Sequence, residues 1–292
     1  MRSGRLLGHA HQVHGAVAAV SEGPAAITLS RGGAPKTYGH TDPNEDAVCF
    51  AFGEHGVLAA VADGHYGARG AERAIDWLLR ERASAWTGAD AGELDPDTWL
   101  EAGGDVLQAV HHDVLAQARE IGLAPAPTTL SIALVRPREG LLLHASVGDS
   151  HIFVARQARG IHHANDVAWA TTGRRDCAFA GEQYDGGQLR PDQWVVGCEP
   201  LADARAVLLA SDGLSEVRIG VEDPAAAAAA AVEHAADPGA IPPGTTDAEA
   251  REASLRALEA CRHLTEAALA AHRANRAGDN MCAAVIWLED VD

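Results

Sequence analysis

The stretch NEDAVCFAFGEHGVLAAVADGH at residues 44–65 decides the fold, because it contains two short and almost continuous apolar runs. The first run, Ala47–Phe52, directly follows Asp46, and the second, Val57–Ala62, leads directly into Asp63. Apolar runs of this length are typical of strands buried on both faces. The stretch therefore predicts two buried strands, each with an acidic residue at one end.

Three later runs repeat this combination of a buried strand and an adjoining acid. They are Leu141–Val147 before Gly148-Asp149-Ser150, Ala206–Ala210 before Ser211-Asp212-Gly213, and Met281–Leu288 after Asp279-Asn280. In an antiparallel sheet, the end of one strand lies beside the start of its neighbour. We therefore expect one group of acids to gather at a single sheet edge: Asp46, Asp63, Asp149, Asp212 and Asp279.

Such a cluster of carboxylates needs protons or cations, because like charges a few ångströms apart raise each other's pKa. All candidate ligands are oxygens, which favour Mg²⁺ or Mn²⁺, and the sequence has neither an HExxH motif nor paired Cys/His ligands for zinc. A single Asp-Gly dipeptide is more often a structural turn than a site. The repeated acid-ended strands, rather than any one of them, indicate a cation site.

Helices are predicted between these strands. Gly70–Leu79 carries apolar residues at helical spacing, and a longer helix is expected after Asp95, its N-cap, with Pro96 in the first turn. A third helix is expected from about Asp247 to Arg273. The second helix places one set of apolar residues on a single stripe: Leu100, Leu107, Val110, Val114 and Ala118.

Composition excludes several classes of protein. The chain has 292 residues, of which 47% are hydrophobic, and a formal net charge of −18. An acidic protein is repelled by phosphate backbones and anionic lipid, so we expect neither nucleic acid nor a membrane as a partner. Five cysteines without a CxxC pair, no secretory signal and no membrane-spanning run predict a cytoplasmic location.

No internal repeat and no clear linker divides the chain. Residues 1–35 are rich in Gly, Ala and His and are expected to form a partly ordered N-terminal extension, with one strand around Ala25–Leu29. Residues 36–292 are expected to form a single domain, because the acid-ended strands and the predicted helices all lie there.

Taken in order, the motifs resemble those of the metal-dependent protein phosphatases, also called type 2C phosphatases. The resemblance covers about residues 38–288 and is specific as an ordered set, although each motif alone is weak. The matching motifs are Asn44-Glu45-Asp46-Ala47, Val61-Ala62-Asp63-Gly64-His65, Thr128-Thr129, Val147-Gly148-Asp149-Ser150, Ala210-Ser211-Asp212-Gly213-Leu214 and Asp279-Asn280-Met281.

This resemblance implies an α+β fold, a four-layer αββα sandwich with two central antiparallel sheets. It also implies that Asp63 bridges two Mn²⁺ or Mg²⁺ ions and that the Gly64 carbonyl contacts one of them. Asp212 and Asp279 would complete the shell of the other ion, and Asp149 would support a possible third ion. Glu45 and Asp46 would act mainly through metal-bound waters or hydrogen bonds.

The implied reaction is hydrolysis of phosphoserine and phosphothreonine in a phosphorylated protein substrate. Two ions about 4 Å apart would lower the pKa of a bridging water and give a hydroxide nucleophile. His65 is the candidate general acid for the leaving alkoxide, with Asp63 and Glu45 as the other catalytic residues. Alternatively, His65 could hydrogen-bond a carboxylate and fix the turn.

The sequence departs from the family at the phosphate-binding position. Many members carry an arginine four residues before the motif glutamate, where this chain has Thr41, which lacks a guanidinium fork. We hypothesise that His40 binds the substrate phosphate; otherwise it is a solvated loop histidine. Other cations that could reach the site are Lys36, Arg69, Arg174 and Arg175.

Two further departures affect substrate choice. Tyr66 interrupts the glycine pair that usually follows the motif histidine, and residues 160–206 match the family poorly. The alternatives to a protein phosphatase are a phosphomonoesterase for a small metabolite and a pseudophosphatase that binds a phosphoprotein without turnover. Retention of Asp63, Asp212 and Asp279 weighs against the pseudophosphatase. The oligomeric state stays open.

Overall fold

The apolar runs fold into two antiparallel sheets of six strands each. The computed structural model describes residues 1–165, 178–184, 186–237 and 248–288. The strands of the first sheet lie in the order β1-β4-β5-β6-β7-β10, and those of the second in the order β2-β3-β12-β11-β8-β9. The strands are β1 (Arg2–Leu7), β2 (Val17–Glu22), β3 (Ala25–Ser30), β4 (Asp46–Phe52), β5 (Val57–Asp63), β6 (Leu130–Arg136), β7 (Leu141–Val147), β8 (His151–Arg156), β9 (Gly160–His163), β10 (Trp194–Pro200), β11 (Ala204–Ala210) and β12 (Met281–Trp287).

The helices pack on the outer faces of these sheets. Three of them, α1–α3, cover the first sheet, and two, α4 and α5, cover the second. Their bounds are α1 (Arg69–Glu81), α2 (Ala83–Thr87), α3 (Pro96–Glu120), α4 (Pro224–Ala236) and α5 (Ala248–Asn275). Within the described residues, none of the helices combines the length and the apolar character needed to cross a bilayer.

Three apolar cores separate the four layers. The sequence of strand β5 does not alternate between apolar and polar residues, because both faces of the strand are buried. Leu58, Ala60 and Ala62 belong to the core beneath α1–α3, whereas Ala59 and Val61 belong to the core between the two sheets. Because side chains alternate along a strand, a central strand of a sandwich must be apolar at consecutive positions. The predicted four-layer αββα sandwich is confirmed.

The first 35 residues differ from the expected extension, because they contribute strands to both sheets. The predicted strand at Ala25–Leu29 is present as β3, and two more strands precede it. Strand β1 pairs with β4 from Arg2↔Phe52 to Leu7↔Ala47, while β2 pairs with β3 in the second sheet. Neither β1 nor β2 has a strong strand signal of its own, because β2 (VAAVSE) contains small residues and β1 (RSGRLL) is polar or glycine in its first four positions.

The predicted helix cap at Asp95 is confirmed. Its side chain accepts a hydrogen bond from Thr98 N–H, and Pro96 occupies the first turn of α3. The predicted stripe on α3 is wrong at Leu100, which is 51% exposed, while the adjacent Trp99 is fully buried. The Trp99 indole also donates to the His144 carbonyl, so a larger ring with a satisfied polar atom takes the buried position.

Candidate metal centre

The acidic residues converge at one end of the sandwich, but they come from both sheets rather than from a single sheet edge. Asp46 and Asp63 are direct partners in the β4–β5 pair of the first sheet. Asp212 follows β11 and Asp279 precedes β12 in the second sheet, where these two strands pair antiparallel. The expected single edge is therefore wrong, because the cluster forms where two stacked sheets end together.

Two uncharged residues join the sheets at this end. The Ser211 hydroxyl donates to Asp46 Oδ2 over 2.7 Å and accepts from Cys282 N–H over 3.0 Å. Asn280 Oδ1 accepts from Glu45 N–H over 2.8 Å, and its amide donates to the carbonyl of Pro43. These bonds fix the separation of the two halves of the cluster. The sequence shows both residues beside motif acids but does not show that they bridge sheets.

The backbone of Asp63 is held by the threonine pair that precedes β6. Thr129 N–H and the Thr128 hydroxyl both donate to the Asp63 carbonyl over 2.9 Å, and Asp63 N–H donates to Thr129 Oγ1. Thr129 Oγ1 is also 2.9 Å from the Ser150 hydroxyl, next to Asp149. This buried network ties the placement of Asp63 to that of Asp149.

The glycines after Asp63 and Asp212 are required by close backbone approach. A Cβ on Gly213 would lie 1.8 Å from the Asn280 carbonyl oxygen, and one on Gly64 would lie 2.6 Å from that of Glu45. His272 on α5 supports the same turn, since its Nε2 lies 2.7 Å from the Gly213 carbonyl and its Nδ1 accepts from Gly33 N–H. No motif in the sequence indicates this role of His272.

All of the clustered acids are buried, with exposed fractions between 0% for Asp46 and 8% for Asp212. Burial raises the pKa of Asp46 to about 6, and the charge of Asp279 adds to this effect while the Ser211 hydrogen bond opposes it. Burial and the charge of Asp46 raise the pKa of Asp63 well above its ordinary value. Burial and the neighbouring Asp212 do the same to the pKa of Asp149.

Asp63 and Asp212 are neighbours in the cluster, and the charge of each affects the other. Burial and the charge of Asp63 raise the pKa of Asp212 well above its ordinary value. Within the described ranges, the side chains are not arranged so that three or more His, Cys, Asp or Glu groups could hold a metal ion without moving. The ammonium group of Lys36, 3.2 Å from Glu45 Oε2 and 3.3 Å from Asp279 Oδ1, offsets part of the negative charge instead.

The donor set nevertheless fits hard divalent ions. Among the residues that the structure describes, three buried carboxylate oxygens have no hydrogen-bond partner: Asp46 Oδ1, Asp149 Oδ1 and Asp212 Oδ1. A buried carboxylate oxygen without a partner is costly, and an oxygen-preferring cation would satisfy it. The chemistry of the cluster therefore suits Mg²⁺ or Mn²⁺.

Glu45 holds the loop that covers the cluster. Its Oε1 accepts from the backbone N–H groups of Thr41 (3.1 Å) and Asp42 (3.2 Å), and its Oε2 lies 3.2 Å from Lys36 Nζ. Burial lowers the pKa of Lys36, but the charges of Asp279, Asp63 and Glu45 outweigh it, so that the pKa is raised and the amine is charged. Lys36 is therefore part of the cluster.

His65 lies at the rim, one residue beyond Gly64. Its ring packs against Phe179, with centroids 4.2 Å apart, and its buried Nδ1 has no hydrogen-bond partner. Burial lowers the pKa of His65, so the neutral imidazole predominates at neutral pH. Tyr66 follows in a left-handed conformation (φ 63°) and is 73% exposed, which gives the rim an aromatic side chain where the family usually has glycine.

The other candidate phosphate ligands occupy different positions. His40 is exposed, and its Nδ1 lies 3.1 Å from the Tyr38 carbonyl. Arg69 is exposed at the start of α1 and reaches the Ala124 carbonyl at 3.5 Å. Arg174 and Arg175 lie outside the described residues.

Comparison with known proteins places this chain and its fold in one family. Residues 34–240 match the family model described as protein phosphatase 2C. No curated protein matches the chain significantly. Similar solved structures include the serine-threonine phosphatase 2C from Toxoplasma gondii, with 16% identity, a TM-score of 0.61 and coverage of 95% of this chain and 100% of that one.

Two further phosphatase structures are similar in the same way. Stp1 from Staphylococcus aureus has 18% identity and a TM-score of 0.60, with coverage of 92% of this chain and 98% of that one. The catalytic domain of the phosphatase PstP, in complex with two manganese ions, has 20% identity and a TM-score of 0.56 at the same coverage. At these identities the structures show a shared fold. Since the family match spans more than half of the sequence, the chain belongs to the protein phosphatase 2C family of serine/threonine phosphatases.

Proposed function

We propose that the protein hydrolyses phosphoserine and phosphothreonine in proteins with two divalent ions, Mn²⁺ or Mg²⁺, held by the acidic cluster. The observation that carries this proposal is the set of buried, unpartnered carboxylate oxygens on Asp46, Asp149 and Asp212. Membership of the phosphatase family and the two manganese ions of the PstP structure support it.

Each residue of the cluster has a proposed part in holding the ions. Asp63 would bridge the pair with the Gly64 carbonyl beside it, and Asp212 and Asp279 would complete one shell. Asp149 would support a third ion, while Glu45 and Asp46 would orient bound water. Ions so held would lower the pKa of a water molecule that attacks phosphorus and would offset the charge developing on the phosphoryl oxygens.

His65 is proposed to protonate the leaving alkoxide. Because burial lowers its pKa, the proposal requires that the dianionic phosphate of the substrate favours the imidazolium. We expect His65→Gln to lower kcat/KM for phosphoserine peptides by about a hundredfold, the size typical of a lost general acid. Hydrolysis of p-nitrophenyl phosphate, whose leaving group needs no proton, should change far less.

The control for this comparison is His234→Gln, which changes an exposed histidine on α4. Equal losses on both substrates in His65→Gln would indicate that the residue positions the site instead of donating a proton. Unchanged hydrolysis of the peptide would remove His65 from the reaction.

His40 is proposed as a ligand of the substrate phosphate, since it adjoins Thr41 and its ring is exposed. We expect His40→Ala to raise KM for phosphopeptides with little change in kcat, because a ground-state contact of this kind binds substrate and transition state alike. Steady-state kinetics with a phosphoserine peptide measures the effect. A KM equal to that of the wild type would show that His40 is a solvated loop residue.

Two assays test the proposed function as a whole. Phosphate release from phosphoserine peptides should require Mn²⁺ or Mg²⁺ and stop on addition of EDTA. Absence of turnover at every ion concentration would favour the pseudophosphatase, and preference for a metabolite panel over peptides would favour the small-molecule phosphomonoesterase. We further propose one domain acting in the cytoplasm, which agrees with the unpaired thiols among the described cysteines, Cys49, Cys198, Cys261 and Cys282.

A further inference from the structure

The only lysine in the sequence lies inside the acidic cluster. All other basic side chains, apart from the histidines, are arginines. The side chain of Lys36 is 5% exposed, and its Nζ lies 3.2 Å from Glu45 Oε2 and 3.3 Å from Asp279 Oδ1. An ammonium group is a compact and strongly hydrated point charge, so its burial requires neighbouring anions.

The backbone holds Lys36 in this position independently of its charge. The residue pairs in parallel with Gly278, directly before Asp279, and Gly278 N–H donates to the Pro35 carbonyl over 3.0 Å. A Cβ on Gly278 would lie 1.8 Å from the Ala34 carbonyl oxygen, so the two segments are in direct contact. The lysine is thus anchored beside an acid that belongs to the other end of the chain.

The ammonium occupies the oxygens that an ion would need. Asp279 is proposed to complete the shell of one ion, yet its Oδ1 is in contact with Lys36. Glu45, proposed to orient bound water, is engaged by Lys36 through Oε2 and by the backbone through Oε1. On the same cluster, Asp46 and Asp212 retain buried oxygens without partners, so the cluster is only partly neutralised.

We propose that the Lys36 ammonium is a built-in counter-cation of the acidic cluster, which competes with a divalent ion for Asp279 and Glu45 and so weakens ion binding. The inference rests on the proposed metal centre. Two positive groups cannot share one carboxylate without mutual repulsion, so ion binding must move the ammonium or bear that repulsion. The free energy needed to move the ammonium, or to keep it beside the ion, makes the binding free energy of the ion less favourable.

Removing the charge should therefore strengthen ion binding while weakening the metal-free fold. For Lys36→Met we expect Mn²⁺ to bind at least about tenfold more tightly, since charges this close interact strongly. The unfolding temperature in EDTA should fall, because buried acids lose their partner. Lys36→Arg keeps the charge and should retain the weaker affinity. Isothermal titration calorimetry with metal-stripped protein measures the affinities.

The matched control is Arg190→Met, which removes one positive charge from an exposed ion pair with Asp192. It changes the net charge of the chain equally but leaves the cluster intact, so its Mn²⁺ affinity should equal that of the wild type. If Arg190→Met tightened binding as much as Lys36→Met, the effect would be one of overall charge, and the inference would be wrong.

A second measurement leaves the chain unaltered and so does not depend on a variant that folds. Protein labelled only with ¹³C,¹⁵N-lysine reports on one residue, and its Cε signals should move when Mg²⁺ fills the site. Signals that stay in place at an ion concentration that calorimetry shows to be saturating would overturn the inference.

The outcomes separate this inference from the proposed function. Equal or weaker Mn²⁺ binding by Lys36→Met, with clear binding by the wild type, overturns the inference and leaves the metal centre standing. A higher KM for phosphopeptides with unchanged ion affinity would likewise overturn it, by assigning Lys36 to the substrate. If neither protein binds Mn²⁺ or Mg²⁺, the metal centre itself is wrong.

Discussion

Asp212→Asn is expected to abolish phosphatase activity and, at the same time, to stabilise the metal-free protein. Asp212 is a proposed metal ligand, so activity should fall by more than the roughly 10- to 100-fold that loss of a supporting residue around a metal typically costs. The opposite effect on stability follows from burial and the charge of Asp63, which raise the pKa of Asp212. A neutral amide removes that electrostatic cost.

Two measurements on the same preparation test this pair of effects. The Mn²⁺-dependent hydrolysis of p-nitrophenyl phosphate should disappear, while the unfolding temperature in EDTA should rise by about 2–4 °C for each kcal/mol of relieved repulsion. Asp90→Asn, at an exposed aspartate, is the control and should change neither quantity. Loss of activity together with a lower unfolding temperature would show that Asp212 stabilises the metal-free fold, whereas retained Mn²⁺-dependent activity would contradict its assignment as a metal ligand.

The metal-free protein is expected to lose stability as the pH rises from 7 to 8.5. Asp63, Asp149 and Asp212 have pKa values raised well above the ordinary range by burial and by their neighbours' charges. The folded state therefore retains protons that the unfolded state has released. The stability that these groups contribute is fully present below their pKa in the unfolded state and is lost as the pH rises through their pKa in the folded state. Between pH 7 and 8.5 the free energy of unfolding should fall by about 2 kcal/mol for each proton that the folded state retains.

The pH window is chosen so that other groups do not mask this effect. Burial lowers the pKa of His151 to about 3, and the charge of His163 adds to this shift, so His151 opposes the carboxyls only below about pH 6.5. Urea unfolding in EDTA at pH 7 and 8.5 measures the change. Saturating Mn²⁺ should reverse its sign, because ions bind deprotonated carboxylates. A metal-free stability that is constant or rises with pH would show that the acids are fully ionised in the fold.

The sequence predicts the central strands well because their chemistry is local. Val57–Asp63 is apolar at consecutive positions because both of its faces are buried, and such a run has few other interpretations. The N-cap Asp95 with Pro96 is likewise a local signal, and the helix begins where they predict it. By contrast, Arg2–Leu7 becomes a strand only through pairing with Ala47–Phe52, a long-range contact that its own composition does not reveal.

The cluster was predictable in its membership but not in its construction. Acids at strand ends identify the residues that meet, whereas the bridging of two sheets by Ser211 and Asn280 depends on how the sheets stack. Lys36 carries no motif, since its place depends on a loop that folds back over Glu45. It is one of several cations expected to reach the site, and one compositional signal distinguishes it from the others, namely that it is the single lysine in a chain whose other cationic side chains are arginine and histidine.

Crystals soaked in Mn²⁺ and measured at an anomalous wavelength test the central claim most directly. The account predicts two anomalous peaks about 4 Å apart, with the bridging position at Asp63 and one ion also within coordination distance of Asp212 and Asp279. Peaks elsewhere on the surface, with none in contact with Asp63, would contradict it. In that case the buried acids would be a protonated structural cluster, not a centre for phosphate hydrolysis.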